Sequence, residues 1–268
     1  IALRRPKTMR IRLDGRLQAG VGAKDVSLKI IATLGTAVGR GYAIEFAGPL
    51  AEALSVEARL TLCNMTIEMG ARSGFIAPDD KVFAYLESRP YMPRGAEWDA
   101  ALAQWRTLKS NDEACFDKEY HIDCGELAPQ ITWGTDQSQT LSIRDTLPAL
   151  PSHPDARLKM ERAYAYMGLE PGKALHGVKV DRVFIGSCTN ARISDLRIAA
   201  AIVKGRRIHE SVTGMVVPGS TSVKRAAEQE GLDRIFKEAG FFWGESGCSM
   251  CAGGNGDRGR PHTWSSLI

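Results

Sequence analysis

The sequence predicts an α/β protein built on parallel sheets. Short apolar runs alternate with segments of helical period, most plainly after Pro171-Gly172, where strand, helix, strand and helix follow in order. Glycine and proline punctuate the junctions between these segments. The composition, 44% hydrophobic and 25% charged over 268 residues, is that of a packed globular chain. It excludes a disordered chain, a collagen-like repeat and a coiled coil. No run reaches the roughly 18 uncharged apolar residues of a membrane span. A net charge of +4 is too small to imply a nucleic-acid partner. The length suits two domains better than one or three.

The elements follow in order. Met9, Ile11 and Leu13 alternate with Arg10 and Arg12, which predicts a half-buried strand, and Asp14-Gly15 reads as a hairpin-type turn after it. Val26, Ile30 and Leu34 stand at helical spacing, and Gly35 stops that helix. Tyr42 to Phe46 is a short strand, and 56–72 reads as one longer helix. A helix over 98–108 and a strand over 117–124 complete a first α/β region, residues 1–145. Residues 146–177 read as a linker rich in proline (Pro148, Pro151, Pro154) and a helix from Asp155 to Met167. Residues 178–268 form a second α/β domain. It has strands at 178–186 and 213–218, a helix at 194–204, and one long helix at 222–239 with Val223, Ala226, Ala227 and Ile235 on one side.

The cysteines carry the chemistry. Cys188 lies in Gly-Ser-Cys-Thr-Asn, immediately after a buried strand, and Cys248 and Cys251 form a C-x-x-C among Gly244, Gly247, Gly253 and Gly254. No secretory signal is present, so a reducing cytosol is the setting, and clustered cysteines read as ligands or redox groups. In parallel α/β folds the carboxyl ends of strands carry ligands. Three thiolates there suit a soft centre, iron–sulfur or zinc. On spacing alone several readings stay open: buried structural cysteines, a redox pair, a zinc site completed by His209 or His262, or an iron–sulfur site. A thioredoxin-like pair would open a helix near the chain start, which this one does not.

On the 56–72 helix, Leu60, Cys63, Ile67 and Ala71 make an apolar stripe. Asn64 and Glu68, four apart, lie one above the other at its edge. They are either site groups or a solvated polar edge. Lys204, Arg206, Arg207 and His209 read as a solvated basic face. Glycines 35, 39 and 41 are not a dinucleotide fingerprint, because Gly39 and Gly41 precede the strand.

Val-Phe-Ile-Gly-Ser-Cys-Thr-Asn-Ala-Arg-Ile at 183–193 and Gly-Glu-Ser-Gly-Cys-Ser-Met-Cys at 244–251 resemble the aconitase family. Segments 5–11, 41–48, 63–71 and 132–135 resemble it too, in the right order, so the resemblance covers essentially the whole chain. It implies aconitase-like three-layer α/β/α domains with parallel sheets. It also implies a hydro-lyase large subunit that interconverts hydroxy-acid isomers by dehydration and rehydration. The resemblance puts a [4Fe–4S] cluster on Cys188, Cys248 and Cys251, with a fourth iron that has no protein ligand. Ser187, Thr189 and Asn190 then lie beside it, and Asn255 more loosely. Glu68 takes a proton-handling or water-orienting role and Asn64 a hydrogen-bonding one. Cys63, Cys115 and Cys124 fall outside the motifs and are expected to be structural.

The implied partners are a small subunit, making a heterodimer, and a hydroxy-dicarboxylic acid substrate, with no nucleic acid and no membrane, in the cytoplasm. The family's Asp-Ser-His and Ser-Asn-Arg-Asn-Phe-type segments have no counterpart in this chain, so it is expected to be inactive alone. Ala252-Gly253-Gly254-Asn255-Gly256 departs from the commoner Leu-Ala-Met-Asn-Pro, and Thr263 to Ile268 does not match the family's continuation. Two alternatives remain. One is another dehydratase of the family, of the homoaconitase or methylmalate/citraconate type. The other is a non-catalytic iron–sulfur or zinc-binding module.

Overall fold

The structure, a computed structural model, describes residues 4–251 and 265–267; for Cys251 and 265–267 it describes the backbone alone. The chain divides into two compact units, Ile1–Ile143 and Arg144–Ile268.

In the first unit the elements run β1 (Lys7–Asp14), α1 (Ala23–Leu34), β2 (Tyr42–Ala47), α2 (Pro49–Ala53), α3 (Val56–Asn64), β3 (Ser73–Phe75), α4 (Asp80–Glu87), α5 (Ala96–Trp105) and β4 (Lys118–Asp123). A hairpin of β5 (Gln130–Thr132) and β6 (Thr140–Ser142) follows. The four long-range strands form a parallel sheet in the order β3-β2-β1-β4. Met9, Ile11 and Leu13 of β1 are fully buried, as their alternation predicts, and meet Ile44 and Phe46 of β2 and Val26, Ile30 and Ile31 of α1 in one core.

The hairpin expected at Asp14-Gly15 is not there. β1 leads through α1 into parallel β2, in register from Lys7↔Tyr42 to Arg12↔Ala47, because parallel neighbours need a crossover and cannot be joined by a tight turn. Gly15 has another use. At φ 85° it lies so close to the β4 exit that a Cβ would come 2.5 Å from the Gly125 amide nitrogen.

The single helix expected over 56–72 is also two pieces. α3 ends at Asn64, and a separate 3-10 turn covers Ile67–Met69. Thr66 supplies the reason: its hydroxyl donates to the Cys63 carbonyl at 2.8 Å, competing with the helical ladder. Gly70 then closes the turn at φ 75°. The break re-aims the side chains. Leu60 and Ile67, expected to be buried, are 42% and 68% exposed, whereas Leu62, Met65 and Met69 enter the core. Arg59 is buried as well, since its guanidinium donates to the Glu52 and Leu54 carbonyls of the α2 end and to Asp79 at 2.6 Å.

The second unit has α6 (Pro154–Met167), β7 (Arg182–Gly186), α7 (Ser187–Asn190), α8 (Ile193–Val203), β8 (Thr213–Val217), α9 (Thr221–Gln229), α10 (Leu232–Glu238), β9 (Phe241–Trp243) and β10 (Ser265–Leu267). Its sheet is parallel, in the order β10-β7-β8-β9. Ile185, Val216, Leu196, Ala200, Ala227, Phe236 and Phe241 form its core. The long helix expected over 222–239 is broken at Gly231, whose left-handed φ of 74° separates α9 from α10. β7 begins at Arg182, four residues later than expected. Among the described residues no helix is long and apolar enough to cross a membrane.

Asp25 joins two parts of the first unit. Its carboxylate accepts from the Gly22 amide at 2.7 Å, capping α1, and from the Gln130 amide at 2.7 Å, tying the β5–β6 hairpin to that helix. Asp25→Ala should therefore destabilise the first unit by about 2 kcal/mol, a lost cap plus a stranded donor. Asp25→Asn should cost less. Urea unfolding followed by circular dichroism checks both.

Candidate metal centre

The second sheet has a point where strand order reverses. From β7 the chain steps to β8 and then β9, while β10 pairs on the other side of β7. In parallel α/β sheets ligands bind outside the carboxyl ends of strands at such a reversal. The carboxyl end of β7 is Gly186, and the next residues are Ser187 and Cys188, the start of the one-turn α7.

Cys188 is exposed at this point. Its turn is held from two sides. Arg192 donates to the Thr189 carbonyl at 2.6 Å, and the Gly219 amide, at the exit of β8, donates to the Ala191 carbonyl at 2.9 Å. Glycine at 219 eases this approach, because a Cβ there would stand 3.0 Å from the Ala191 oxygen and 3.1 Å from that of Ser187. The C-x-x-C follows β9. Cys248 is exposed, and a 3-10 turn, Ser249–Cys251, packs against β7. The Ser249 hydroxyl approaches the Met215 sulfur of β8 at 3.5 Å. The fold thus brings the loops of Cys188 and Cys248–Cys251 to one strand; the Cys251 side chain lies outside the described residues.

Two features distinguish these loops. Ser187 and Ser249, flanking Cys188 and Cys248, both adopt left-handed backbone at φ 75° and 45°, a conformation that non-glycine residues seldom hold without a compensating purpose. Each loop also buries an oxygen with no hydrogen-bond partner, Asn190 Oδ1 on the first and Ser246 Oγ on the second. A buried polar atom left without a partner is costly. A serine hydroxyl, or an asparagine amide turned to present its N–H2, would be satisfied by an acceptor such as a cluster sulfide. The donor set and these two atoms fit an iron–sulfur group.

Among the described residues no three His, Cys, Asp or Glu side chains are grouped to hold a metal ion. His209, a candidate fourth ligand for zinc, is exposed and hydrogen-bonds the Ser211 hydroxyl at 2.9 Å; His262 and Asn255 lie outside the described residues. Cys63, Cys115, Cys124, Cys188 and Cys248 form no disulfide. Cys124 is fully buried and Cys63 partly so; burial pushes both thiols up to about 11, as suits structural groups, whereas Cys115 is exposed.

In the first unit Glu68 sits in the 3-10 turn and Asn64 at the end of α3. They are therefore not stacked on one helix, because the Thr66 break lies between them. Asn64 is exposed. Glu68 is partly buried, with Oε2 sealed from water and without a hydrogen-bond partner. Burial raises its carboxyl above the ordinary glutamate value, against its own backbone amide and the positive charge of Lys24, which lower it. Lys24, in the first turn of α1, is a residue that periodicity could not single out.

A parallel α/β protein whose two cysteine-bearing loops both reach one strand of a sheet is the class that fold and site define. The chain belongs to the aconitase family: the family model described as aconitase family (aconitate hydratase) matches residues 1–267. It is 53% identical over 259 residues to the 3-isopropylmalate dehydratase large subunit of Roseiflexus castenholzii (strain DSM 13941 / HLO8). That match covers 96% of this chain and 55% of the relative, so the chain spans about half the relative's length. Among solved structures it resembles the crystal structure of Thermococcus kodakaraensis aconitase X (holo-form), at 11% identity and a TM-score of 0.42, over 91% of this chain and 44% of that one. At that level the likeness carries no argument about the site.

Glu68 gives a signed prediction. Its folded-state affinity for a proton exceeds the unfolded one, so the protonated form adds stability at low pH that is lost as pH rises through the raised value. Glu68→Gln should melt above the wild type at pH 7. The gap should close as pH falls below the ordinary glutamate value of about 4.3. Melting curves across pH read this directly.

Proposed function

We propose that the chain is the cluster-bearing part of a hydro-lyase large subunit that interconverts 2-isopropylmalate and 3-isopropylmalate in leucine biosynthesis. The observation that carries the proposal is that the Ser249–Cys251 turn packs against β7, the strand whose carboxyl end leads into Cys188, and that each cysteine loop holds a buried oxygen without a partner. The 53% identity to a dehydratase large subunit supports the substrate.

Cys188, Cys248 and Cys251 would hold a [4Fe–4S] cluster with three thiolates, and the cluster would supply Lewis acidity toward a substrate hydroxyl. Ser187, Asn190 and Ser246, on the segments that carry Cys188 and Cys248, would offer hydrogen-bonding groups to the ligands and help orient them. Glu68, its carboxyl raised by burial, accepts and returns a proton during the removal and return of water. Asn64 hydrogen-bonds the oxygen being moved. A small subunit completes the site as a heterodimer, the substrate is a hydroxy-dicarboxylic acid, and the setting is the reducing cytoplasm.

Anaerobic reconstitution should yield about four irons and four sulfides per chain. Cys188→Ser, Cys248→Ser and Cys251→Ser should each abolish that stoichiometry. Zinc without sulfide would overturn the assignment in favour of a structural metal module. The large subunit in full, assayed with its small subunit, should prefer isopropylmalate over homocitrate and methylmalate. Preference for either of the others would move the substrate while leaving the chemistry intact.

A further inference from the structure

The geometry points to Lys224 as a positioning residue for the cysteine loop that follows β9. This rests on the reading of that loop as part of a cluster site. The segment 244–249 carries glycines at 244 and 247, which leave its backbone free to vary. It is pinned at its start by the Gly244 amide, which donates to the Val216 carbonyl at 2.8 Å. It is pinned at its end by Ser249 against Met215. Between these points lies Glu245, itself 87% exposed, whose carboxylate accepts from the Lys224 ammonium at 2.5 Å.

Lys224 comes from α9 and is unlike an ordinary surface lysine. Its side chain is only 17% exposed, so its stem is packed and few rotamers remain to it. A second carboxylate, Glu228, stands one turn on at 3.7 Å, and Glu228 in turn accepts from the Trp243 indole at 3.0 Å. The ammonium therefore bridges helix α9, strand β9 and the loop that presents Cys248 three residues beyond Glu245. These groups place Cys248 before any metal arrives, so that three thiolates need not be gathered from a mobile loop. Lys224 touches none of the reacting atoms; it acts through Glu245.

The test uses the large subunit in full. Lys224→Met and Glu245→Gln should load iron and sulfide as the wild type does, with the same electron paramagnetic resonance signature after reduction. They should lose iron to a chelator about two- to fivefold faster, the range set by one partly exposed ion pair. The charge swap Lys224→Glu with Glu245→Lys should restore the wild-type rate, whereas Lys224→Glu alone should not. Unchanged loss rates in Lys224→Met would overturn the proposal. So would faster loss that the swap fails to rescue, since Lys224 would then act on α9 alone. Amide exchange across 244–249 in the metal-free protein separates the clamp from the cluster. Faster exchange in Lys224→Met, rescued by the swap, supports the clamp even if no cluster forms. If the wild type binds neither iron nor sulfide, the cluster reading fails while this exchange still decides the role of Lys224.

Discussion

A parallel strand cannot be joined to its neighbour by a tight turn, and the candidate site depends on that constraint. Each crossover returns the chain to the same end of the sheet, so every strand delivers its carboxyl end, and the loop after it, to one edge. In the second unit β7 is flanked by β8, reached by crossover, and by β10 from the far end of the chain. The chain leaves β7 toward β8, away from β10, so the strand order reverses between β7 and β10. Cys188 follows the carboxyl end of β7 at that reversal. The C-x-x-C enters from β9, two strands away, and reaches it because its turn folds back over β7. Glycines at 186, 219 and 244 permit the close approaches that this requires.

What was legible in the sequence were the elements whose apolar period is undisturbed. β1, α1, β2, β4, α6, α8 and β8 lie within a few residues of their expected bounds. The strand before Cys188 and the loop after β9 that carries Cys248 were legible for a different reason: an apolar run and glycine-rich flanks are local features. The failures share a cause. The break after Asn64 is made by one hydroxyl, Thr66, turned onto a carbonyl three residues back, and hydrophobic period carries no trace of it. The break at Gly231 is a single left-handed residue within an otherwise helical run. Arg59 can be buried because its partners, the end of α2 and Asp79, come from other segments, which no local pattern shows. Lys224 and Glu245 are 21 residues apart and meet only after β9 has joined the sheet.

The Thr66 break also changes what Glu68 can do. On a continuous helix its carboxylate would stand on a polar edge in water. In the 3-10 turn Met69 is drawn into the core and Oε2 of Glu68 is sealed without a partner. That is why its carboxyl is raised and why Lys24 matters: a desolvated acid near one positive charge can hold or release its proton as its surroundings change.

The two strained serines bear on the same question from the side of the backbone. A non-glycine residue at positive φ costs on the order of 1 kcal/mol or more, and glycine would relieve it at either position. Glycine is at hand in both segments: Gly186 precedes Ser187, and Gly247 lies two residues before Ser249. At each of the two left-handed positions the chain carries a hydroxyl next to a cysteine. A side chain held where its backbone is unfavourable is informative about the side chain. The Ser249 hydroxyl already serves to fasten its loop to Met215. Ser187 is buried at the head of the Cys188 turn, with the Asn190 oxygen sealed in the same turn. Among the described residues of the second unit, the left-handed non-glycine residues, Ser187 and Ser249, and the buried oxygens without a partner, Asn190 Oδ1 and Ser246 Oγ, fall on the same two cysteine-bearing segments; Tyr91, Ser27, Arg59 and Glu68 show the same features singly in the first unit, so it is their coincidence here that sets these segments apart.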